Sequence, residues 1–281
     1  MSFADKMKTL LSHRGVRWIA IPWINQFARA YGHGVREILF DRGVWIHETS
    51  RGYFAYHQPY LRLDMSRMDE VARENFFWGY KPRAGDVVMD VGAGVGEETL
   101  LFSRAVGERG KVISIEAHPR TFRCLEKLVQ YNRLENVIAV HQAVTEPSCP
   151  VVTIGDSDAY LANRLNSEAG ISVPARTIDA IHHELGLGRV NFLKMNIEGA
   201  ERLAIRGMAA TLEQTEVLCV SCHDFLADNA RDDSLRTKST VRQFLHESGF
   251  KVVERSEPDL PCYIRDQLWA YNEQLMRKAA S

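Results

Sequence analysis

The chain has 281 residues, 45% hydrophobic and 25% charged. This is enough to bury a core without disulfides or metals, and the composition is that of a globular protein. A formal net charge of −1 excludes a global basic field that would recruit nucleic acid. No run reaches the roughly 20 apolar residues of a membrane span, and no signal peptide is evident at the N-terminus. Five cysteines (124, 149, 219, 222 and 262) form an odd, scattered set, which points to a reducing, cytoplasmic setting. Cys219 and Cys222 fall in the run EVLCVSCHDF. In a strand, positions three apart face opposite sides, so both read as small core residues.

In chain order, residues 1 to about 45 read as one or two short helices. They carry Trp18, Trp23 and Trp45 among Lys6, Lys8, Arg14, Arg17, Arg29 and Arg36. A basic, Trp-bearing amphipathic segment can lie on a membrane surface. Asp5, Glu37 and Asp41 dilute the charge, and a cap packed on the main domain is the favoured reading. Residues 44–65 alternate apolar and polar and read as a hairpin. Residues 68–80 read as a helix. The expected division is an N-terminal extension over 1–67 and a main domain over 68–281.

From Gly85 the pattern changes. Strands are predicted at 86–92, 111–117 and 136–144, with helices at 97–107 and 119–134 between them. This alternation predicts right-handed parallel crossovers, and hence an α/β, doubly wound sheet. Residues 145–175 form an insert with a hairpin from CPVVTIGD and ISVPAR. A helix at 177–187, a strand at 190–197, a helix ending near Gly207, a strand at 215–225 and a helix at 239–249 follow. FKVVERS and RDQLWAYN are expected to close the sheet as an antiparallel pair.

The first strand of this series runs into Asp90-Val91-Gly92-Ala93-Gly94-Val95-Gly96-Glu97. The glycines let backbone approach a ligand and turn into a helix. Glu97 stands where a dinucleotide fingerprint has its third glycine, and a carboxylate there repels a pyrophosphate. A nucleoside without a phosphate at this spot fits better. Glu116 ends the next strand, where a carboxylate can accept from both hydroxyls of a ribose.

D-V-G-A-G-V-G with Glu116 resembles the S-adenosylmethionine site of class I methyltransferases, a seven-stranded, mostly parallel Rossmann-like sheet. K-M-N-I-E-G-A-E at 194–201, followed by Arg206-Gly207, is similar to the hallmark of the FkbM-type methyltransferases. The resemblance covers roughly residues 68–272. It implies S-adenosylmethionine as cofactor, held by Asp90, Gly92, Ala93, Gly94, Gly96, Thr99, Glu116, Ala117, Gln142, Ala143 and Asn196. Asp90 would hold the ammonium, directly or through water, Glu116 the ribose and Gln142 the adenine. The fourth strand's end would place Asn196 and Glu198 beside the methyl group. Asn196 stands where the family usually has Asp, which weakens it as a base. His223 is a candidate base for a hydroxyl acceptor. Asp224 with Glu198 is a candidate Mg²⁺ pair. Glu201, at a helix start, is accounted for by the helix dipole alone.

The implied activity is O-methyl transfer to a sugar of a glycolipid, polysaccharide or glycosylated natural product. Tyr53, Phe54, Tyr56, Tyr60 and Tyr160 are candidate sugar-stacking residues. N-methylation, a non-catalytic nucleoside-binding module and a nicotinamide dehydrogenase are the alternatives. The expected partner is a small-molecule or glycan acceptor, with no nucleic acid. Peripheral membrane contact through the N-terminal segment and self-association stay open.

Overall fold

The computed structural model describes residues 13–31, 34–155, 170–230, 233 and 236–280. Helix α1 (Arg14–Tyr31) leads into three antiparallel strands, β1 (Val35–Asp41), β2 (Val44–Thr49) and β3 (Gly52–Tyr56). Residues 35–41 were expected within a helical segment, and the structure corrects this. V-R-E-I-L-F-D pairs with β2 across the turn at Gly43 and buries Ile38 completely. Cross-strand packing outweighs local preference here.

Helix α2 (Met65–Phe76) precedes an alternating series: β4 (Val87–Val91), α3 (Glu97–Val106), β5 (Lys111–Glu116), α4 (Pro119–Asn132) and β6 (Val137–His141). Then come the short β7 (Ala143–Val144), β8 (Val151–Gly155), β9 (Gly170–Arg176) and α5 (Ile178–Glu184). Strand β10 (Val190–Met195) is followed by α6 (Glu201–Ala204) and α7 (Ala209–Glu213). Strand β11 (Thr215–Ser221), α8 (Asp224–Ala230), α9 (Lys238–Glu247), β12 (Lys251–Val253), α10 (Cys262–Arg265), β13 (Gln267–Tyr271) and α11 (Glu273–Ala280) complete the chain.

The main sheet runs β12-β13-β11-β10-β4-β5-β6, with β13 antiparallel to both neighbours and the remaining pairs parallel. The fold is that of the seven-stranded class I methyltransferases. Both faces are covered, which is why the strands read as apolar runs. Met89, Val91, Leu193, Met195 and Leu218 meet Ile178, Ile181, Val241 and Leu245 on one side. Val88, Phe192, Val217 and Trp269 meet Phe76, Phe77 and Phe102 on the other. Cys219 and Cys222 fall in these two opposite clusters.

Strand order reverses between β4 and β10. In an open α/β sheet the crevice at such a reversal, at the carboxyl ends of the strands, binds ligands. The insert covers one flank of it. Strands β8 and β9 pair antiparallel, as expected of that hairpin, and β9 joins β7. Tyr160, a candidate sugar-stacking residue, lies outside the described residues.

The N-terminal unit shares a core with the main sheet's helices. Ile38, Trp45, Ile46 and Phe54 pack with Leu100, Cys124 and Leu128. Asn132, at the end of α4, clamps β3. Its Oδ1 accepts from Tyr53 N at 2.9 Å and its Nδ2 donates to Tyr53 O at 2.7 Å.

Candidate active site

A cleft opens at the carboxyl ends of β4, β5 and β10, where open α/β sheets bind their ligands. Gly92, Gly94, Glu116, Ala117, Gln142, Ala143, Asn196 and Glu198 line it, all of them sequence candidates. Ile115, His118, Thr121, Ile154 and Ile197 add walls that the sequence did not single out. Gly92 has φ +77°, and a Cβ on it would lie 2.0 Å from Asn196 O. Only glycine lets the first loop pass this close to the end of β10.

Glu116 reaches into the loop. Its Oε2 accepts from Gly94 N at 3.0 Å and its Oε1 from His118 N at 2.8 Å. Burial pushes its carboxyl up to about 7, against the lowering effect of those two N–H groups. Around the cleft, the Oε1 of Gln142, the Oδ1 of Asn196 and the Oγ1 of Thr121 are buried without a hydrogen bond. Such orphaned acceptors are costly unless a donor fills the site, and a ligand bearing amine donors fits them.

Four expected cofactor residues stand behind the cleft instead. Asp90 is fully buried. Its Oδ1 accepts from Lys194 Nζ at 2.8 Å and its Oδ2 from Thr99 Oγ1 at 2.9 Å. Strand register explains this. Asp90 sits opposite Lys194, and both lie on the face of Val88 and Phe192, turned toward α3. Asp90 thus accepts from protein donors on both oxygens and does not line the cleft. Thr99 is the other half of that contact and also meets Ser114 Oγ at 2.9 Å. Ala93 is buried within the loop. Gly96 starts α3 in a left-handed conformation against Leu125 and Leu128.

Lys194 was given no role from sequence. It is 1% exposed, donates also to Gly92 O at 2.7 Å, and lies over the Phe76 ring at 5.2 Å. It thereby ties β4, β10 and the glycine loop together. Burial disfavours its charge, but Asp90 and Glu98 more than offset this and raise its pKa.

On the acceptor side the strand ends of β10 and β11 meet. Glu198 and His223 both hold left-handed backbone, at φ +52° and +51°. Non-glycine residues in that region cost on the order of 1–3 kcal/mol each and cluster at functional sites. Their side chains approach to 3.5 Å, His223 Nε2 to Glu198 Oε1. On the other ring nitrogen, His223 Nδ1 meets Glu201 Oε1 at 2.9 Å. Glu201 is fully buried and is held further by Gly199 N and Thr237 Oγ1. Dipole stabilisation at a helix start does not account for a carboxylate so placed. Burial would lower the His223 pKa, but the hydrogen bond and charge of Glu201 and the charge of Glu198 raise it.

Asp224 points elsewhere. Its Oδ1 accepts from Thr237 N at 2.8 Å and Lys238 N at 3.0 Å, at the start of α9. It forms no pair with Glu198. Among the described residues no group of three His, Cys, Asp or Glu side chains is arranged to hold a metal. The Mg²⁺ pair expected of Asp224 and Glu198 finds no support in this arrangement. The aromatic candidates divide: Phe54 and Tyr56 are buried in the N-terminal unit's core, while Tyr53 and Tyr60 pack at its margin.

Comparison with known proteins agrees with this architecture. The methyltransferase FkbM domain matches residues 90–252, more than half of the chain. A demethylmenaquinone methyltransferase of Lactobacillus johnsonii is 30% identical over 89 residues, covering 30% of this chain and 36% of that protein. An FkbM methyltransferase structure from Methylobacillus flagellatus superposes with a TM-score of 0.50 at 18% identity, over 74% of this chain and 50% of that one. Aeropyrum pernix fibrillarin with natively bound S-adenosyl-L-methionine gives a TM-score of 0.45 at 12% identity, over 85% of this chain and 99% of that one. The chain thus spans about a third of the curated relative and half of the FkbM structure. With the family match covering the glycine loop, Glu116 and the K-M-N-I-E-G-A-E run, the chain belongs to the FkbM methyltransferase domain family.

Proposed function

We propose that this methyltransferase uses S-adenosylmethionine and methylates a hydroxyl, carried by a sugar of a glycolipid, polysaccharide or glycosylated natural product. The carrying observation is the Glu201–His223–Glu198 array beside the glycine-loop cleft. When bound, S-adenosylmethionine supplies a methyl group already activated on a sulfonium. The protein's tasks are then to align the reactants and to take one proton.

Glu116 would accept from the two ribose hydroxyls, its carboxylate fixed by Gly94 N and His118 N, and Gln142 would meet the adenine amine. With Asp90 engaged by Lys194, the orphaned Oδ1 of Asn196 is the acceptor we assign to the ammonium end. This gives the amide a role that does not require a base at position 196.

The base is His223. Glu201 accepts from Nδ1–H, which leaves the Nε2 lone pair on the Glu198 side. Nε2 would take the acceptor hydroxyl's proton, and the bound sulfonium would supply the methyl group that replaces it on oxygen. The resulting imidazolium lies between two carboxylates. A positioned base of this kind contributes about 10²–10⁴-fold. The sugar assignment draws on the family resemblance; a second cleft, lined by Tyr60, Arg62, Glu97, Glu98 and Arg104, shares no wall with the first.

The test is transfer of a labelled methyl group to a panel of saccharides and amines. The expected product is a sugar ether, with His223→Ala reducing kcat at least about 10²-fold and leaving cofactor affinity unchanged. Label on nitrogen would overturn the hydroxyl reading. Cofactor binding with no transfer to any acceptor would favour a binding module.

A further inference from the structure

Helix α1 is apolar on two sides. Its inner side docks firmly. Ile21, Ile24 and Ala28 pack into the N-terminal unit's core, and Asn25 is bonded on both amide atoms to the backbone of Ile38, at 2.7 and 3.0 Å. Its outer side carries Trp18, Ile19, Trp23 and Phe27, which are 83, 64, 70 and 51% exposed. Exposed aromatics in a contiguous patch mark an interaction surface. The charge beside them has one sign. Between Asp5 and Glu37 the sequence has Lys6, Lys8, Arg14, Arg17, Arg29 and Arg36, and no acid. The net charge of −1 for the whole chain therefore conceals a local cationic segment. Arg17 stacks on Phe40 at 4.0 Å, but Arg14, Arg29 and Arg36 are exposed.

We propose that the outer face of α1 docks on an anionic lipid surface, with Trp18, Ile19, Trp23 and Phe27 in the headgroup boundary and Arg14 and Arg29 against lipid phosphates. Indole rings with one polar edge suit that boundary. Basic residues beside an apolar helical face add attraction to anionic headgroups. No helix of the described residues is long and apolar enough to cross a membrane, so the contact is peripheral. A second copy of the chain fits less well. Helix α1 carries three arginines and no acid, so two copies of it offer each other no charge complementarity. The proposal is independent of the transferred group and of the acceptor.

The test is co-sedimentation of the full chain with phosphatidylglycerol vesicles and with phosphatidylcholine vesicles, with tryptophan emission recorded. The expected result is partitioning to phosphatidylglycerol that salt weakens, with a blue-shifted emission. Arg14→Gln with Arg29→Gln should reduce partitioning roughly 25-fold, at about fivefold per arginine. Trp18→Ala with Trp23→Ala should reduce it on the order of tenfold or more. Both variants should keep the wild-type thermal transition, since the four side chains are exposed. Equal partitioning to the two lipids would overturn the proposal, as would partitioning that the Trp substitutions leave unchanged. So would a dimer that those substitutions convert to monomer without any vesicle binding.

Discussion

Replacing Lys194 by Met removes a charge from the interior without greatly changing its volume. In the wild type the ammonium lies 2.8 Å from Asp90 Oδ1 and 2.7 Å from Gly92 O, with both side chains of the pair at most 1% exposed. Breaking a buried pair by removing one partner costs about 3–5 kcal/mol, because the other charge is left without compensation. The loss at Gly92 O adds the roughly 1–3 kcal/mol of an orphaned buried acceptor. Lys194→Met is therefore expected to lose about 4 kcal/mol or more in urea unfolding. Asp90→Asn in the same chain removes the orphaned charge, so the double variant should be more stable than Lys194→Met alone. A loss below about 1 kcal/mol, or a double variant whose losses simply add, would refute the role given to this pair.

Glu201→Gln should leave the His223 ring in place but remove its buried counter-charge. The acidic limb of the pH–rate profile is then expected to move to lower pH, with kcat reduced, and an unmoved limb would leave Glu201 a purely structural group. Gly92→Ala drives a Cβ to 2.0 Å from Asn196 O at φ +77°, and calorimetry should show S-adenosylhomocysteine affinity falling more than tenfold. Asn132→Ala removes the two hydrogen bonds that join α4 to β3, and about 1–3 kcal/mol should disappear from the unfolding free energy with little change in cofactor affinity. Because burial raises Glu116 to about 7, nucleoside affinity should tighten as pH rises through that value and the carboxylate forms.

The parallel core was legible because strands buried on both faces are written as apolar runs. Val87–Val91, Lys111–Glu116, Val190–Met195 and Thr215–Ser221 all emerged within a few residues of their sequence positions. The glycine loop and Glu116 were legible because few other residues permit that bend and that strand end. What failed was any property that depends on which neighbour a side chain meets. Asp90 looks like a ligand in D-V-G-A-G-V-G, and only its register opposite Lys194 turns it inward. Glu201 looks like an ordinary first-turn acid until β11 brings His223 to it. Asp224 lies next to His223 in the chain, yet its carboxylate turns to the N-terminus of α9. The strand Val35–Asp41 was hidden because its partner, β2, supplies the packing that makes it a strand.

The central claim is that the cleft over Gly92–Gly96 holds a nucleoside whose ribose is gripped by Glu116. Titration calorimetry of S-adenosylhomocysteine into the wild type and into Glu116→Ala tests it most directly. The account expects one site per chain in the wild type and an affinity at least about tenfold weaker in the variant, since a charge-assisted hydrogen bond contributes about 1.5–3 kcal/mol. No heat in the wild type, or equal affinity in the two proteins, would contradict it.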